Sequence, residues 1–390
     1  MKLLFLTSRF PYPLEKGDKL RAFHLIKSLS KHNEIYLFAV NQKAPEADWL
    51  EKLKPYCKAI ATGIVTKKDS ISSMLNALPD QEMPFQVAYF FRNKVMKELE
   101  NFCKEHQPEA VFCHLIRMSE YARRINIQPA VIDYMDAFSK GMERMAEHSN
   151  LLFKIPVTQE GSRLRRYEKK SFQWFNQHII ISAQDRDHMP IDQRKDIEVI
   201  PNGVDFNDYA ARQLPKKTDL LFIGNMAYPP NISSAIYLAK KILPALHRLR
   251  PETNLLLAGA NPVPSVKQLA SDKITVSGWI ENVQDTFAES KVMVAPMLIS
   301  IGLQNKILQA MAMKTPCVIS RLANNAIGAP ENECVLVADH PEEYAEKIIF
   351  LLNNPQSATQ MAEQAFHFVK QNFDWDKQAQ SIQQLLIRKS

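Results

Sequence analysis

The sequence predicts an α/β protein built as two Rossmann-like domains, and three observations carry that prediction. Apolar runs of strand length alternate with amphipathic stretches of helical period, the pattern of parallel sheets covered by helices. The alternation comes as two successive series of comparable size, parted by a stretch without periodicity after Pro201-Asn202-Gly203-Val204-Asp205. The length of 390 residues, at roughly 150 per domain, allows two to three domains. We therefore expect an N-terminal domain over 1–205, a linker over 206–217, a C-terminal domain over 218–372, and a last helix, 373–390, packing back on the N-terminal domain.

The first series opens with a strand at Lys2–Thr7 and a turn of Pro, Gly and charge over Arg9–Lys19. Leu20, Phe23, Leu25, Ile26 and Leu29 then recur at helical spacing, and Glu34–Val40 reads as the second strand. Further strands are expected at Ala59–Val65, Ala110–Cys113, Ala130–Tyr134, His178–Ser182 and Glu198–Ile200, with one long helix at Thr158–Gln177. The second series places strands at Asp219–Ile223, Asn254–Ala258, Ile274–Val276, Val292–Pro296, Pro316–Ser320 and Val335–Ala338. Its helices are Ile232–Leu249, Asn305–Met313, Glu342–Leu352, Ala358–Gln371 and Asp376–Ile387. Doubly wound sheets bind ligands beyond the carboxyl ends of their strands, so a central cleft faced by both domains is expected.

Composition narrows the function classes. Hydrophobic residues make up 46% and charged residues 23%, with only 10 glycines, which excludes collagen-like, low-complexity and wholly disordered chains. No run of 18 apolar residues occurs, and the run Leu3–Leu6 is too short for a signal-peptide core. Cys57, Cys103, Cys113, Cys317 and Cys334 are odd in number and lack C-x-x-C spacing, so reduced cysteines and a cytoplasmic location are expected. The net charge of +7 suits nucleotide phosphates or anionic lipid head groups, and equally describes an ordinary solvated surface.

Pro296–Pro316 is the most informative segment. A buried strand ends at a proline, a loop holds Gly302, and a helix opens near Asn305. Glycine lets backbone approach a ligand closely, and a helix start offers free N–H groups with a positive dipole end. Lys306 adds a cation in the first turn, where the dipole does not favour one but a phosphate would; a solvent-facing lysine is the plain alternative. In the N-terminal half, His114 follows the strand Ala110–Cys113, and Asp133 ends another strand, with Asp136 just beyond as a helix cap. Arg117 and Arg144 are weaker cleft candidates.

These segments together resemble a known family. Ile200–Asp205 (IPNGVD), Leu220–Met226 (LLFIGNM), Pro230–Pro244 (PNISSAIYLAKKILP) and the 296–316 segment resemble family 4 glycosyltransferases of the GT-B fold. Phe10–His24 (FPYPLEKGDKLRAFH) and Gln304–Met313 (QNKILQAMAM) are similar to the sugar transferases of exopolysaccharide and exosortase (PEP-CTERM) gene clusters. The resemblance implies two Rossmann-like domains facing a central cleft and retaining, metal-independent transfer of a sugar from a nucleotide diphosphate sugar. It implies no cofactor, a UDP-sugar as co-substrate, and a glycan or lipid-linked acceptor in polysaccharide biosynthesis. From its strand-end place His114 is read either as a catalytic residue, hydrogen-bonded to the transferred sugar or the acceptor, or as a histidine held by loop hydrogen bonds. The resemblance puts the loop of Asp133 and Asp136 on the same cleft, with Asp133 as the second catalytic candidate. Gly17, Lys19, Arg21, Gly302, Asn305 and Lys306 would serve the donor phosphates, and Gly224, Asn225 and Gln309 the nucleotide.

The sequence departs from that family at its paired glutamates and at its diphosphate clamp. The paired glutamates, with seven residues between them, read Ile301 and Gln309 here. A glutamine still accepts a ribose hydroxyl but without charge, and charge-assisted bonds are roughly twice as strong. A catalytically weakened nucleotide- or glycan-binding partner in a polysaccharide assembly complex is therefore the second reading. The clamp that many members carry after the glycine turn is absent from Met226–Asn231, leaving Lys306 and Arg321 as replacements.

Asp185-Arg186-Asp187 and Asp374-Trp375-Asp376 match D-x-D but stand at expected helix starts, where carboxylates favour the dipole, so no metal is expected. Thr158–Gln177 combines five basic residues with Tyr167, Phe172, Trp174 and Phe175. It reads either as a helix packed by its aromatics or as a peripheral contact with an anionic membrane face. No nucleic-acid module is recognisable.

Overall fold

The computed structural model describes residues 1–14, 16–147, 151–212, 214–299 and 302–388. The chain forms two compact units, one of Met1–Pro201 with Trp375–Ser390 and one of Asn202–Asp374.

The first unit holds seven strands: β1 (Lys2–Thr7), β2 (Glu34–Asn41), β3 (Ala59–Ile64), β4 (Ala110–His114), β5 (Ala130–Asp133), β6 (Gln177–Ile180) and β7 (Glu198–Val199). They lie in the order β3-β2-β1-β4-β5-β6-β7, and all are parallel. Successive side chains alternate faces, so β1 feeds two cores. Leu3 and Phe5 join Leu25 and Ile26 of helix Gly17–Leu29 and Ile382 and Leu386 of helix Trp375–Ile387. Leu4 and Leu6 join Val95, Leu99 and Phe102 of helix Asn93–His106 on the other face. The last helix is fastened by Trp375, stacked on His24 at 5.2 Å, and by a 2.6 Å ion pair of Asp376 with Lys31.

The second unit repeats the winding with β8 (Thr218–Ile223), β9 (Leu255–Ala258), β10 (Ile274–Gly278), β11 (Ser290–Ala295), β12 (Cys317–Ile319) and β13 (Leu336–Val337). Their order is β10-β9-β8-β11-β12-β13, again parallel throughout. In each sheet the winding reverses beside the first strand, between β1 and β4 and between β8 and β11, which is where such sheets take ligands.

Three details differ from the sequence-based expectation. The break between units falls at 201–202, ahead of the expected 205–206. Its reason is a hydrogen bond: the Val204 N–H donates to the Phe373 carbonyl at 2.7 Å, stitching the turn to the end of the second unit. The long helix spans Leu151–Ser171, through Pro156, and closes with a 3-10 turn at Phe172–Trp174. The single helix expected at Ile232–Leu249 is Pro229–Tyr237, a π-turn at Leu238–Ile242, and Leu243–His247.

Candidate functional site

In the first unit, strand register brings Thr7, His114 and Asp133 side by side at the carboxyl ends of β1, β4 and β5. The residues just past these ends take left-handed backbone without being glycine: Leu115 at φ +73° and Met135 at φ +61°. Such strain gathers where a fold holds particular groups in place. Asp133 is wholly buried and is met by four donors. Arg21, also 0% exposed, donates from Nε at 2.7 Å and from Nη2 at 3.3 Å. His114 Nδ1 lies 3.1 Å from the same carboxylate, and the Met135 N–H donates at 3.2 Å. Burial alone would raise the Asp133 pKa; the charge of Arg21 and the bonds and charge of His114 overcome it and hold the carboxyl at about 2.

The other ring nitrogen of His114, Nε2, sits 3.0 Å from the Asp18 carbonyl oxygen. Both ring nitrogens thus face oxygen atoms. Arg9 closes the cluster with a 2.5 Å ion pair to Asp18.

This geometry corrects one expectation and reshapes two. Arg21, expected at the donor phosphates, is turned inward because Asp133 binds it from inside the sheet. His114 and Asp133 are brought together, but as partners of one another in a buried network. Asp136, three residues beyond Asp133, is exposed at this edge. In the sequence it reads as a helix cap before Ala137, in the loop that follows Asp133. Gly17 opens helix Gly17–Leu29 in open space, where a Cβ would touch nothing. The Lys19 ammonium donates to the Tyr12 carbonyl at 3.2 Å and lies 5.4 Å from the Trp49 ring centre. It lines a cavity of about 1210 Å³ together with Arg9, Trp49, Tyr89, Phe90 and Arg117.

In the second unit the expected donor residues converge at the ends of β8 and β11. Asn231 bridges them: its Nδ2 donates to the Asn225 carbonyl at 2.9 Å, and its Oδ1 accepts from Lys306 Nζ at 2.5 Å. The Lys306 ammonium stands 4.5 Å over the Phe222 ring centre. Among the described residues it has no carboxylate partner, and burial pushes its pKa down to about 7. A half-buried cation without a carboxylate partner among the described residues, in the first turn of helix Asn305–Ala312, has the chemistry to attract an anion.

Glycine is required just behind it. A Cβ on Gly224 would stand 2.7 Å from Asn231 Nδ2, and one on Gly259 (φ +132°) would stand 1.9 Å from the Gly224 oxygen. Gly302 takes φ +51° ahead of the helix, and Asn305 Oδ1 accepts from Asn202 Nδ2 at 3.3 Å. Gln309 is half-buried one turn farther along. Ile301 lies outside the described residues. Arg321 pairs with Glu331 at 2.8 Å and Asp339 at 3.3 Å, so its charge is already matched.

The D-x-D sequences sit in helix starts, with Ser182 capping the Asp185 N–H at 3.0 Å and Asp376 in the first turn of Trp375–Ile387. The basic helix packs inward through Leu164 and Tyr167, and Phe175 is buried just past the turn that ends it. Its cations hold the segment 77–83: Arg163 donates to the carbonyls of Ala77, Leu78, Asp80 and Met83, and Arg166 to that of Gln81. No described helix is long and apolar enough to cross a membrane.

Comparison with known proteins agrees with this layout. Residues 217–354 match the family model described as glycosyl transferases group 1. An uncharacterized 44.6 kDa protein in the cps region of Klebsiella pneumoniae is 22% identical over 409 residues, covering 98% of each chain. Sucrose-phosphate synthase from Thermosynechococcus elongatus superposes with a TM-score of 0.68 at 15% identity, over 99% of this chain and 98% of that one. Anabaena HepE in complex with UDP-glucose gives 0.65 at 14% identity, over 99% of each. The chain therefore has the GT-B fold of glycosyltransferases, with a glycosyl transferases group 1 match over most of its second unit.

Proposed function

We propose that this protein is a glycosyltransferase that moves a sugar from a UDP-sugar to a glycan or lipid-linked acceptor in polysaccharide biosynthesis, of the exopolysaccharide (PEP-CTERM) kind. Transfer proceeds with retention, without metal and without a further cofactor. The observation that carries this reading is Lys306, a half-buried ammonium with no carboxylate partner among the described residues, set at a helix start beside the sheet's point of reversal. The group 1 match over the same residues, the UDP-glucose of HepE and the cps-region relative support it.

In this reading the Lys306 ammonium and the N–H groups near Gly302–Asn305 stabilise the leaving diphosphate as its charge develops. Gly224 and Asn225 leave room for the nucleotide, and Gln309 accepts a ribose hydroxyl. His114, Asp133 and Arg21 act as positioning residues that fix the strand ends, while Asp136, exposed at the same edge, takes the acceptor hydroxyl's proton. Purified protein with UDP-sugars and a lipid-linked acceptor should release UDP and elongate the acceptor. Lys306→Ala should lower turnover by about 100-fold, within the range for removing one oxyanion donor. Full turnover in that variant would remove the phosphate assignment.

The uncharged Gln309 favours a second reading, a binding partner with little turnover of its own. Gln309→Glu separates the two, because a restored carboxylate raises turnover only in a transferase site.

A further inference from the structure

Helix Lys67–Asn76 presents its apolar side to water. Ile71 and Leu75 share a face at i and i+4, yet they are 58% and 59% exposed, and Leu78, just past the helix end, is 55% exposed. The residue that this helix buries is Ser70. A second apolar edge lies at Met145 and at Phe153 and Ile155, the last two each 66% exposed near the start of helix Leu151–Ser171. Contiguous exposed apolar surface on a folded protein marks an interaction site.

Both edges border one cavity. Lys67 and Met74 from the first, and Met142 and Phe153 from the second, line the 1210 Å³ cavity described above. Six of its lining side chains are cationic and one, Glu160, is acidic. The Glu160 carboxylate is already engaged, accepting the N–H groups of Phe85 and Gln86 at 2.9 Å each. A basic cavity framed by outward apolar side chains is complementary to a phosphate attached to a hydrocarbon tail. The same pairing of apolar and cationic groups drives amphipathic segments into anionic bilayer surfaces.

We infer that this edge of the first unit inserts Ile71, Leu75, Leu78, Phe153 and Ile155 into an anionic bilayer, and that the cavity behind it takes the phosphate of a lipid in that bilayer. The inference rests on the lipid-linked form of the acceptor proposed above. It places the membrane contact away from the basic helix 158–177, whose arginines hold segment 77–83, and so position Leu78, through its carbonyls.

Flotation of the full chain with phosphatidylcholine vesicles, with and without phosphatidylglycerol, tests it. The protein should float with the anionic vesicles and be released as salt is raised. The triple variant Ile71→Ser, Leu75→Ser, Leu78→Ser should lose binding by about tenfold or more while keeping its melting temperature, since each side chain lies in water. Should that variant not fold, Leu75→Trp serves instead: its fluorescence should shift to the blue on anionic vesicles. Wild-type protein that stays at the bottom of the gradient, or a folded triple variant that floats as well as wild type, would overturn the inference. So would a lipid-free dimer that the triple variant makes monomeric, which would assign the patch to a second copy of the chain. UDP binding measured on the same samples keeps the readings apart: UDP binding without flotation sinks the membrane edge alone, and flotation without UDP binding sinks the transferase reading alone.

Discussion

Asp133→Ala removes the carboxylate that compensates a fully buried arginine. With Arg21 Nε 2.7 Å from the Asp133 oxygen, an effective dielectric of 20 gives about 6 kcal/mol of attraction, part of which offsets the desolvation of both groups. Breaking a buried pair by removing one partner costs about 3–5 kcal/mol, a large share of the 5–15 kcal/mol that holds a typical domain together. We expect that loss here, together with a changed acid limb. Asp133 titrates at about 2 when folded and near 3.9 when unfolded, so its contribution is complete above the unfolded value and is lost as pH falls through the folded one. That contribution is about 2–3 kcal/mol; the variant should lack it above pH 4 and should not show the decline that wild type shows between pH 4 and 2. Urea unfolding followed by tryptophan fluorescence reads it, since Trp49, Trp174 and Trp375 belong to the first unit and Trp279 to the second. Removing both charges, as Arg21→Met with Asp133→Leu, should recover much of the loss. A single variant that loses less than about 1 kcal/mol, or a double variant as unstable as the single, would refute the unpaired-charge argument.

Four further outcomes follow from the geometry. Lys306 titrates at about 7 because of burial, so a diphosphate at its ammonium should draw a proton onto it at pH 8. Calorimetry of UDP binding in buffers of different ionisation enthalpy should show this uptake, and Lys306→Met should abolish it. Gln309→Glu should tighten UDP-sugar binding by about fivefold, the difference between a neutral and a charge-assisted bond, read by titration calorimetry. Gly259→Ala, whose Cβ would sit 1.9 Å from a backbone oxygen, should lower the denaturation midpoint of the second unit by more than Gly224→Ala, whose clash is with a side chain. Trp375→Ala should cost the first unit about 3–5 kcal/mol in denaturant unfolding, because the ring is buried and stacks on His24.

Much of the fold was legible because parallel strands buried on both faces are continuous apolar runs. Lys2–Thr7 begins and ends where the sequence places it, and the strands at Ala110 and Ala130 end within a residue of expectation. The places of Gly224 and Asn225, just past a strand end, and of Asn305 and Lys306, at a helix start, were legible too, because local sequence fixes them. The Arg21–Asp133 pair was not, because the partners are 112 residues apart and a helical arginine gives no local sign of facing inward. The exposure of Ile71 and Leu75 was hidden for the opposite reason: their spacing is that of a core-facing helix, and only tertiary structure turns them to water. The break at 201–202 depends on the Val204–Phe373 hydrogen bond, likewise invisible locally.

The central claim is that the second unit holds a nucleotide diphosphate through Lys306, and titration of the full chain with UDP in metal-free buffer, followed by its melting temperature, tests it most directly. A ligand at 100 times its dissociation constant adds about 2.7 kcal/mol of stability. The account predicts a saturable rise with UDP that Lys306→Ala removes. A flat response to UDP, GDP and ADP up to millimolar concentration, or an undiminished rise in Lys306→Ala, would contradict it.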